Sequence, residues 1–388
     1  MQHFFSELRF AFRSLRSQAG LSFMGISALA MGIGFTTIMF SIVHGALYRG
    51  LPFPEGDRIY HLAGTNPERG QERVAISVPD FLEWRAQQHS FEGLAAFTQG
   101  TINLGGVERP IRFDGGFMSA NAFQVLGVQP FLGRGFQEGD DLPGAPGVVV
   151  LGYRAWRDHF GSDPGVLGQA VRVNGEDATI VGVMDGSFQF PVLQEIWIPL
   201  ELNPADLQRE GGSRLDVFGK LREGVTVEEA RTEFRGITQR LALAYPETNE
   251  GLSPRITPYT ENFIGSDTAN ILLVMLATVL LVLVVACVNV ANLLLARTAG
   301  RTRELAIRTS LGASRLRVIT HLLAEATVLA LLGALGGLII AWVGILLFAR
   351  LVVDTEPPFW FVFALDGPIL LFVVAVTVLA AMVSGVTS

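Results

Sequence analysis

Four long apolar stretches divide the 388-residue sequence, and they are arranged as one stretch, a gap of about 220 residues and three more in quick succession. The first runs from Ala19 to Tyr48 without an ionised side chain, and the others cover about Ala269 to Ala296, Leu322 to Ala349 and Pro368 to Ser388. Each reaches the roughly 20 residues that a helix needs to cross a bilayer. Because backbone in hydrocarbon must satisfy its own hydrogen bonds, each stretch predicts a transmembrane helix.

The distribution of charge predicts how these helices are oriented. Basic residues in short flanking loops remain on the cytoplasmic side. Arginines precede the first stretch, and six more occupy the connection between the second and third stretches, where Glu304 is the one acid. The 217 residues from Gly50 to Ser266 hold 18 basic and 29 acidic side chains, a net charge of −11. We therefore expect a protein of the bacterial inner (plasma) membrane with its N-terminus in the cytoplasm and this acidic region outside, in the periplasm or extracellular space.

The order of polar and apolar segments predicts the organisation of the chain. Ala28-Leu29-Ala30 fits a signal-peptide cleavage site, but the apolar run continues to Val43, so we expect an uncleaved anchor. The predicted segments are a cytoplasmic amphipathic helix (1–18), four transmembrane helices (19–48, 267–296, 321–350 and 367–388), an external domain (49–266), a cytoplasmic connection (297–320) and an external turn (351–366).

The external region combines two kinds of pattern. Thr226 and Glu229 form a capping box before a helical apolar repeat, and this helix follows a strand candidate at 215–221. A similar order of strand and helix occurs near residues 58–84. The middle of the region instead has short strand candidates, a hairpin around Asn174-Gly175, and glycine pairs at 105–106 and 115–116 that resemble turns. We predict an α+β lobe (55–100 and 214–262) with a β-rich lobe (101–213) inserted.

The sequence contains no arrangement of residues that is typical of a catalytic site. A phosphate-binding loop needs a lysine followed by Ser or Thr, and Lys220, the only lysine, is followed by Leu221. The six histidines lack the helical i, i+4 spacing of a metal pair, and Cys287 has no second cysteine beside it. The acidic pair at 140–141 indicates a solvated loop, and the pair at 228–229 a helix N-terminus. We expect a non-catalytic membrane subunit that binds no cofactor, metal or nucleic acid.

Two features of the membrane region remain as candidate sites. The cytoplasmic connection carries apolar and cationic residues that a short helix closed by Gly312 would present to a partner's cleft. On spacing alone, an ordinary basic loop facing lipid phosphate explains it equally well. In the third stretch, Gly333 and Gly337 form a G-x-x-x-G step, with Ala341 one turn further, that allows another helix to approach closely.

The connection Arg301-Thr302-Arg303-Glu304-Leu305-Ala306-Ile307-Arg308-Thr309-Ser310-Leu311-Gly312-Ala313-Ser314 closely resembles the signature of MacB/FtsX-type permeases of ABC transporters. The order of one span, a large periplasmic domain and three spans also resembles that family. The start of the chain, including Leu51-Pro52-Phe53-Pro54, resembles the duplicated orphan permeases. Those permeases carry two such halves, so a fragment, a truncated gene model or a single-unit protomer are all consistent with one half here.

This resemblance implies a MacB-like periplasmic core domain over 49–266 and an FtsX-like permease region over 267–388. It also implies a separate cytoplasmic ABC ATPase, a homodimer or a pairing with a second permease half, and a periplasmic partner or substrate. The residues that it places at the ATPase contact are Arg301, Arg303, Glu304, Ile307, Arg308, Leu311, Gly312 and Ala313. The function expected is passage of ATP-driven motion to the periplasmic domain for efflux or mechanotransmission; the alternative is a membrane-anchored receptor or scaffold without a dedicated ATPase.

Overall fold

A computed structural model describes residues 19–105, 110–203, 205–299, 315–353 and 357–386. Four of its helices are long and apolar enough to cross a membrane. In chain order, the helices are α1 (Ala19–Val43), α2 (Val78–Gln87), α3 (Ala122–Leu126), α4 (Tyr153–Phe160), α5 (Val227–Ala244), α6 (Pro246–Asn249), α7 (Tyr259–Ile264), α8 (Ser266–Ala299), α9 (Arg315–Val353) and α10 (Gly367–Val386). The amphipathic helix predicted over 1–18 lies outside the described residues.

Twelve strands occupy the external region. They are β1 (Ile59–Asn66), β2 (Gln71–Val74), β3 (Ile76–Ser77), β4 (Phe91–Gly105), β5 (Ile111–Met118), β6 (Leu132–Gly133), β7 (Gly147–Leu151), β8 (Ala170–Val173), β9 (Glu176–Val183), β10 (Ile196–Pro199), β11 (Arg214–Leu221) and β12 (Ser253–Pro258). All belong to one network of paired strands, whose main path runs β12-β1-β11-β4-β5-β10-β7-β9-β6.

The chain divides into two compact units. The membrane unit comprises residues 1–48, 266–356 and 362–388, and it contains α1, α8, α9 and α10. The external unit comprises residues 49–265 and 357–361. The second of these ranges is unexpected, because the sequence predicts a simple turn there between the third and fourth membrane helices.

In the external unit, β12, β1, β11 and the first half of β4 form an antiparallel sheet with a helical layer. The capping box predicted at Thr226 is present at the start of α5, with Glu229 accepting from the Thr226 backbone. Successive side chains of a strand point to opposite faces. Leu94 and Ala96 of β4 pack in the cluster with α2 and α5, whereas Ala95 and Phe97 enter a second, aromatic cluster.

Six strands, one of which is β4, close a ring. β4 pairs with β5, β5 with β10, β10 with β7, β7 with β9, β9 with β8, and β8 again with the end of β4. A closed ring has no free edges. One buried hydrophobic cluster joins these strands to α4, and its strand residues include Ile102, Leu104, Phe113, Val149, Leu151, Val171, Val173, Ile180 and Ile196. Membrane helices with an external domain that combines an α+β part and a β-rich part confirm the predicted fold class.

The expectation of a turn at Gly115-Gly116 is wrong, because both glycines lie inside β5. A Cβ atom on Gly115 would lie 2.3 Å from the Ile102 side chain, and one on Gly116 would lie 2.6 Å from the Trp197 ring. Glycine is therefore needed here for close packing of neighbouring strands rather than for a change of chain direction.

Candidate functional site

The connection with the family signature lies between two membrane helices. α8 ends at Ala299 and α9 begins at Arg315, so residues 300–314 join them. All eight residues predicted to contact an ATPase, from Arg301 to Ala313, lie outside the described residues. Their role stays a prediction.

The predicted glycine step of α9 faces α1. Gly333 and Gly337 lie on the same side of α9, and Ala341 is completely buried one turn further along. Ideal Cβ atoms on three glycines would lie very close to α1: Gly333 2.7 Å from Leu29 Cβ, Gly337 3.1 Å from both Gly34 N and Ile33 Cβ, and Gly344 2.3 Å from Ile38 Cδ1. Small residues in membranes allow this kind of close approach.

Another side of α1 packs on α8. A Cβ atom on Gly32 would lie 2.9 Å from the Leu283 side chain. Thr36 lies one turn further, fully buried, and donates its hydroxyl hydrogen bond to the Gly32 carbonyl at 2.7 Å. Of the four membrane helices, α1 is the most enclosed. Any movement of α8 or α9 within the membrane unit must therefore be accommodated by α1.

Phe359, Trp360 and Phe361 of the segment 357–361 lie in the aromatic cluster of the external unit. Trp360 is completely buried, with its ring centroid 5.9 Å from Tyr259 and 5.4 Å from Phe263. The neighbouring Phe359 stacks on Phe53 at 5.6 Å and donates its backbone N–H to the Val192 carbonyl at 3.1 Å. Sequence reasoning missed this feature, although five consecutive residues Pro-Pro-Phe-Trp-Phe in a short external connection were a usable signal.

A buried polar cluster adjoins this region. His61 on β1 is 1% exposed, and its Nε2 lies 3.2 Å from Asp216 Oδ1 on β11. Burial lowers the pKa of His61, and the hydrogen bond and charge of Asp216 oppose that shift only in part. Burial would raise the pKa of Asp216, but bonds and charges from His61 and Arg73 outweigh it and lower that pKa. His61 is therefore a neutral ring between two strands of the sheet.

We expect the external unit to lose stability in mild acid because of His61. A histidine with a lowered folded pKa stays neutral in the native state, whereas the unfolded chain takes up the proton below its ordinary pKa of 6.5. Stability is therefore full above 6.5 and declines as the pH falls below it. Asp216, also with a lowered pKa, adds a separate loss only below 3.8.

Intrinsic tryptophan fluorescence of the full chain checks this, since four of the five tryptophans lie in the external unit. Wild type should unfold at lower temperature at pH 5.5 than at pH 7.5, and His61→Gln should reduce that difference. An unchanged pH dependence in the variant would assign the effect to other groups.

The described residues hold no group of three or more His, Cys, Asp or Glu side chains that could bind a metal ion. Two acidic pairs have structural partners instead. Asp140 pairs with Arg134 at 2.7 Å, and Asp141 accepts the backbone N–H of Ala120 at 2.9 Å. Glu229 caps α5. These acidic side chains therefore stabilise a loop and the start of a helix.

Comparison with known proteins agrees with the architecture. Residues 22–237 match the MacB-like periplasmic core domain, and residues 274–388 match the FtsX-like permease C-terminal region. The chain is 26% identical over 305 residues to the uncharacterized ABC transporter permease YknZ of Bacillus subtilis (strain 168), covering 75% of this chain and 66% of YknZ. It is 24% identical over 265 residues to the macrolide export ATP-binding/permease protein MacB of Campylobacter jejuni subsp. jejuni serotype O:23/36 (strain 81-176), covering 66% of this chain and 40% of that protein.

Solved periplasmic regions show weaker similarity. The periplasmic region of MacB from Actinobacillus actinomycetemcomitans is 17% identical, with a TM-score of 0.39, over 52% of this chain and 89% of that one. The extracellular domain of YknZ from Gram-positive bacteria is 13% identical, with a TM-score of 0.37, over 51% of this chain and 99% of that one.

The chain has four membrane helices and one large external domain, and the two family models match the external domain and the C-terminal membrane region. This combination defines the permease component of an ABC transporter. The chain belongs to the MacB/FtsX-type permease family. It spans no more than about two thirds of the length of either curated relative. Permeases of this type work with ABC ATPase partners in transporter complexes, and this protein is a membrane protein with an extracellular domain.

Proposed function

We propose that this chain passes the motion of a separate cytoplasmic ABC ATPase to its external unit, for efflux or mechanotransmission. The observation that carries the proposal is the position of the FtsX-like region, residues 274–388, which includes the whole connection between α8 and α9. A partner that grips residues 300–314 would hold both helices at their cytoplasmic ends. The close contacts of α1 with α8 and α9 would then carry a displacement through the membrane unit.

The proposed assembly has two membrane halves, because ABC ATPases act as a pair. These halves are two copies of this chain or this chain with a second permease half.

Affinity purification of the full chain in mild detergent tests the proposal. We expect a P-loop ATPase to co-purify, and its ATP hydrolysis to rise when the two are reconstituted together. Purification with external proteins only would favour the alternative function, a membrane-anchored receptor or scaffold without an ATPase.

The proposal requires a cytoplasmic N-terminus and an external domain outside an inner (plasma) membrane. The basic residues beside α1 and in the connection between α8 and α9 support this orientation. Single introduced cysteines at positions 140 and 310, in a Cys287→Ala background, provide the measurement. With a membrane-impermeant thiol reagent on intact cells whose outer barrier is permeable to it, position 140 should label and position 310 should not. The reverse pattern would contradict the orientation and, with it, a cytoplasmic ATPase contact.

A further inference from the structure

The chain passes between the membrane unit and the external unit at four places. These lie at residues 48/49, 265/266, 356/357 and 361/362, so each of the four membrane helices is followed or preceded by a segment of the external unit. The first two passages join the external domain to α1 and α8. The last two bracket residues 357–361, which lie between α9 and α10 in sequence.

The residues next to these passages meet in one cluster of the external unit, which we call the aromatic junction. It consists of Phe53, Tyr259, Phe263, Phe359 and Trp360. Phe53 follows the α1 passage by a few residues, and Phe263 precedes the α8 passage by two. Ring centroids join them in a chain: Phe53 to Phe359 at 5.6 Å, Phe359 to Trp360 at 5.2 Å, Trp360 to Phe263 at 5.4 Å and Phe263 to Tyr259 at 5.1 Å.

The aromatic junction is continuous with the sheet. Tyr259 lies 4.8 Å from Phe190 and 6.4 Å from Phe218 on β11, measured between ring centroids, and its hydroxyl donates to the Pro191 carbonyl at 3.2 Å. Edge-to-face and tilted aromatic pairs at these distances are attractive, and close-packed interiors transmit strain rather than absorb it. A displacement of Trp360 would therefore also displace β11, through Tyr259 and Phe218.

Few residues of the sequence link this cluster to the membrane helices α9 and α10. Phe361 belongs to the external unit, and the next residue, Val362, belongs to the membrane unit, where the Phe363 ring packs edge-on against Phe348 of α9 at 5.1 Å. On the other side, three residues separate the end of α9 at Val353 from Pro357. Four extended steps reach only about 14 Å.

We propose that residues 357–361 anchor the outer ends of α9 and α10 in the aromatic junction, so that these two helices move the same cluster that receives α1 and α8. The Trp360 ring is the anchor, since it is completely buried and its centroid lies 5.9 Å from Tyr259, 5.4 Å from Phe263 and 5.2 Å from Phe359. The hydrogen bond from the Phe359 backbone N–H to the Val192 carbonyl holds the segment 357–361 in place against the cluster. This inference goes beyond the ATPase coupling and does not depend on it.

Hydrogen–deuterium exchange of the full chain in lipid nanodiscs, without any ATPase, tests the anchor. Trp360→Ala should raise exchange by about tenfold or more both in the junction (residues 188–194 and 357–361) and at the outer ends of α9 and α10. Trp360→Phe, which keeps a buried ring, should remain close to wild type. Trp342→Ala provides the matched control, because that tryptophan of α9 is 57% exposed, and it should leave the junction unchanged.

A second variant with lengthened links, called the slack variant, keeps the test decisive if Trp360→Ala unfolds the external unit. Six Gly and Ser residues inserted after Thr355 and again after Phe361 leave the cluster intact but lengthen both links. Protection of the junction should persist, while exchange at the outer ends of α9 and α10 should rise. Helix ends that exchange as in wild type in the slack variant would overturn the anchor and leave residues 357–361 as local packing. Because no ATPase is present, this failure would be distinct from failure of the proposed function.

Discussion

Gly337→Leu is expected to destabilise the membrane unit by about 1 to 3 kcal/mol, the usual cost of adding side-chain atoms to a packed core. The atoms that a Cβ at this position would meet include the backbone nitrogen of Gly34 at 3.1 Å, which cannot move aside without moving α1. The contact joins two helices of one chain. The expected loss is therefore of stability first and of assembly only as a consequence.

Cys287 supplies the measurement for this variant. It is the only cysteine and is 3% exposed in the cluster that also contains Leu29 of α1 and Leu329 of α9. Its reaction with a fluorogenic maleimide on heating reports unfolding of the membrane unit. Gly337→Leu should lower the midpoint by roughly 2 to 10 °C. Leu331→Ala is the control, since Leu331 is 52% exposed, and equal midpoints for the two variants would mean that the glycine contact is incidental.

Local patterns predicted the elements well, because each rests on interactions between near neighbours in sequence. The capping box at Thr226 specified the start of α5, and Asn174-Gly175 specified the hairpin of β8 and β9. The lengths of the apolar stretches predicted the four membrane helices, since the thickness of the bilayer fixes that length.

Features that depend on distant pairings were not predictable in this way. The ring of strands closes through Leu104 and Val173, which are far apart in sequence and carry no mark of their pairing. Gly115-Gly116 has the composition of a turn, and only the Ile102 and Trp197 side chains opposite explain why a strand needs glycine there. Trp360 likewise gains its significance from Tyr259 and Phe263, more than 90 residues earlier.

The candidate contact with an ATPase is the clearest case of a site that sequence alone suggests. Its residues, including Glu304 and Arg308, are assigned by resemblance to the family signature. The structure contributes the helices on either side, α8 and α9, which bracket the connection.

Glu304→Lys is expected to abolish co-purification with a partner ATPase and stimulation of its ATP hydrolysis, while insertion and orientation in the membrane stay normal. Glu304 is the discriminating residue, because a loop that serves only to keep positive charge inside has no use for an acid. If the carboxylate pairs with a cation in an ATPase cleft, reversing it leaves that cation unpaired at a cost of about 2 to 5 kcal/mol. Such a loss corresponds to roughly 30-fold to several thousandfold in affinity.

Arg317→Ala provides the control, since it also alters a charge of this region but lies within α9, nearer the membrane. It should reduce binding of the ATPase only slightly. Co-purification and ATP hydrolysis in reconstituted vesicles are compared for wild type and both variants, with thiol labelling at position 140 to verify the orientation of each. Full binding and full stimulation by Glu304→Lys would remove the coupling role from this connection. The scaffold function, in which the same arginines face only lipid phosphate, would then be the better account of residues 300–314.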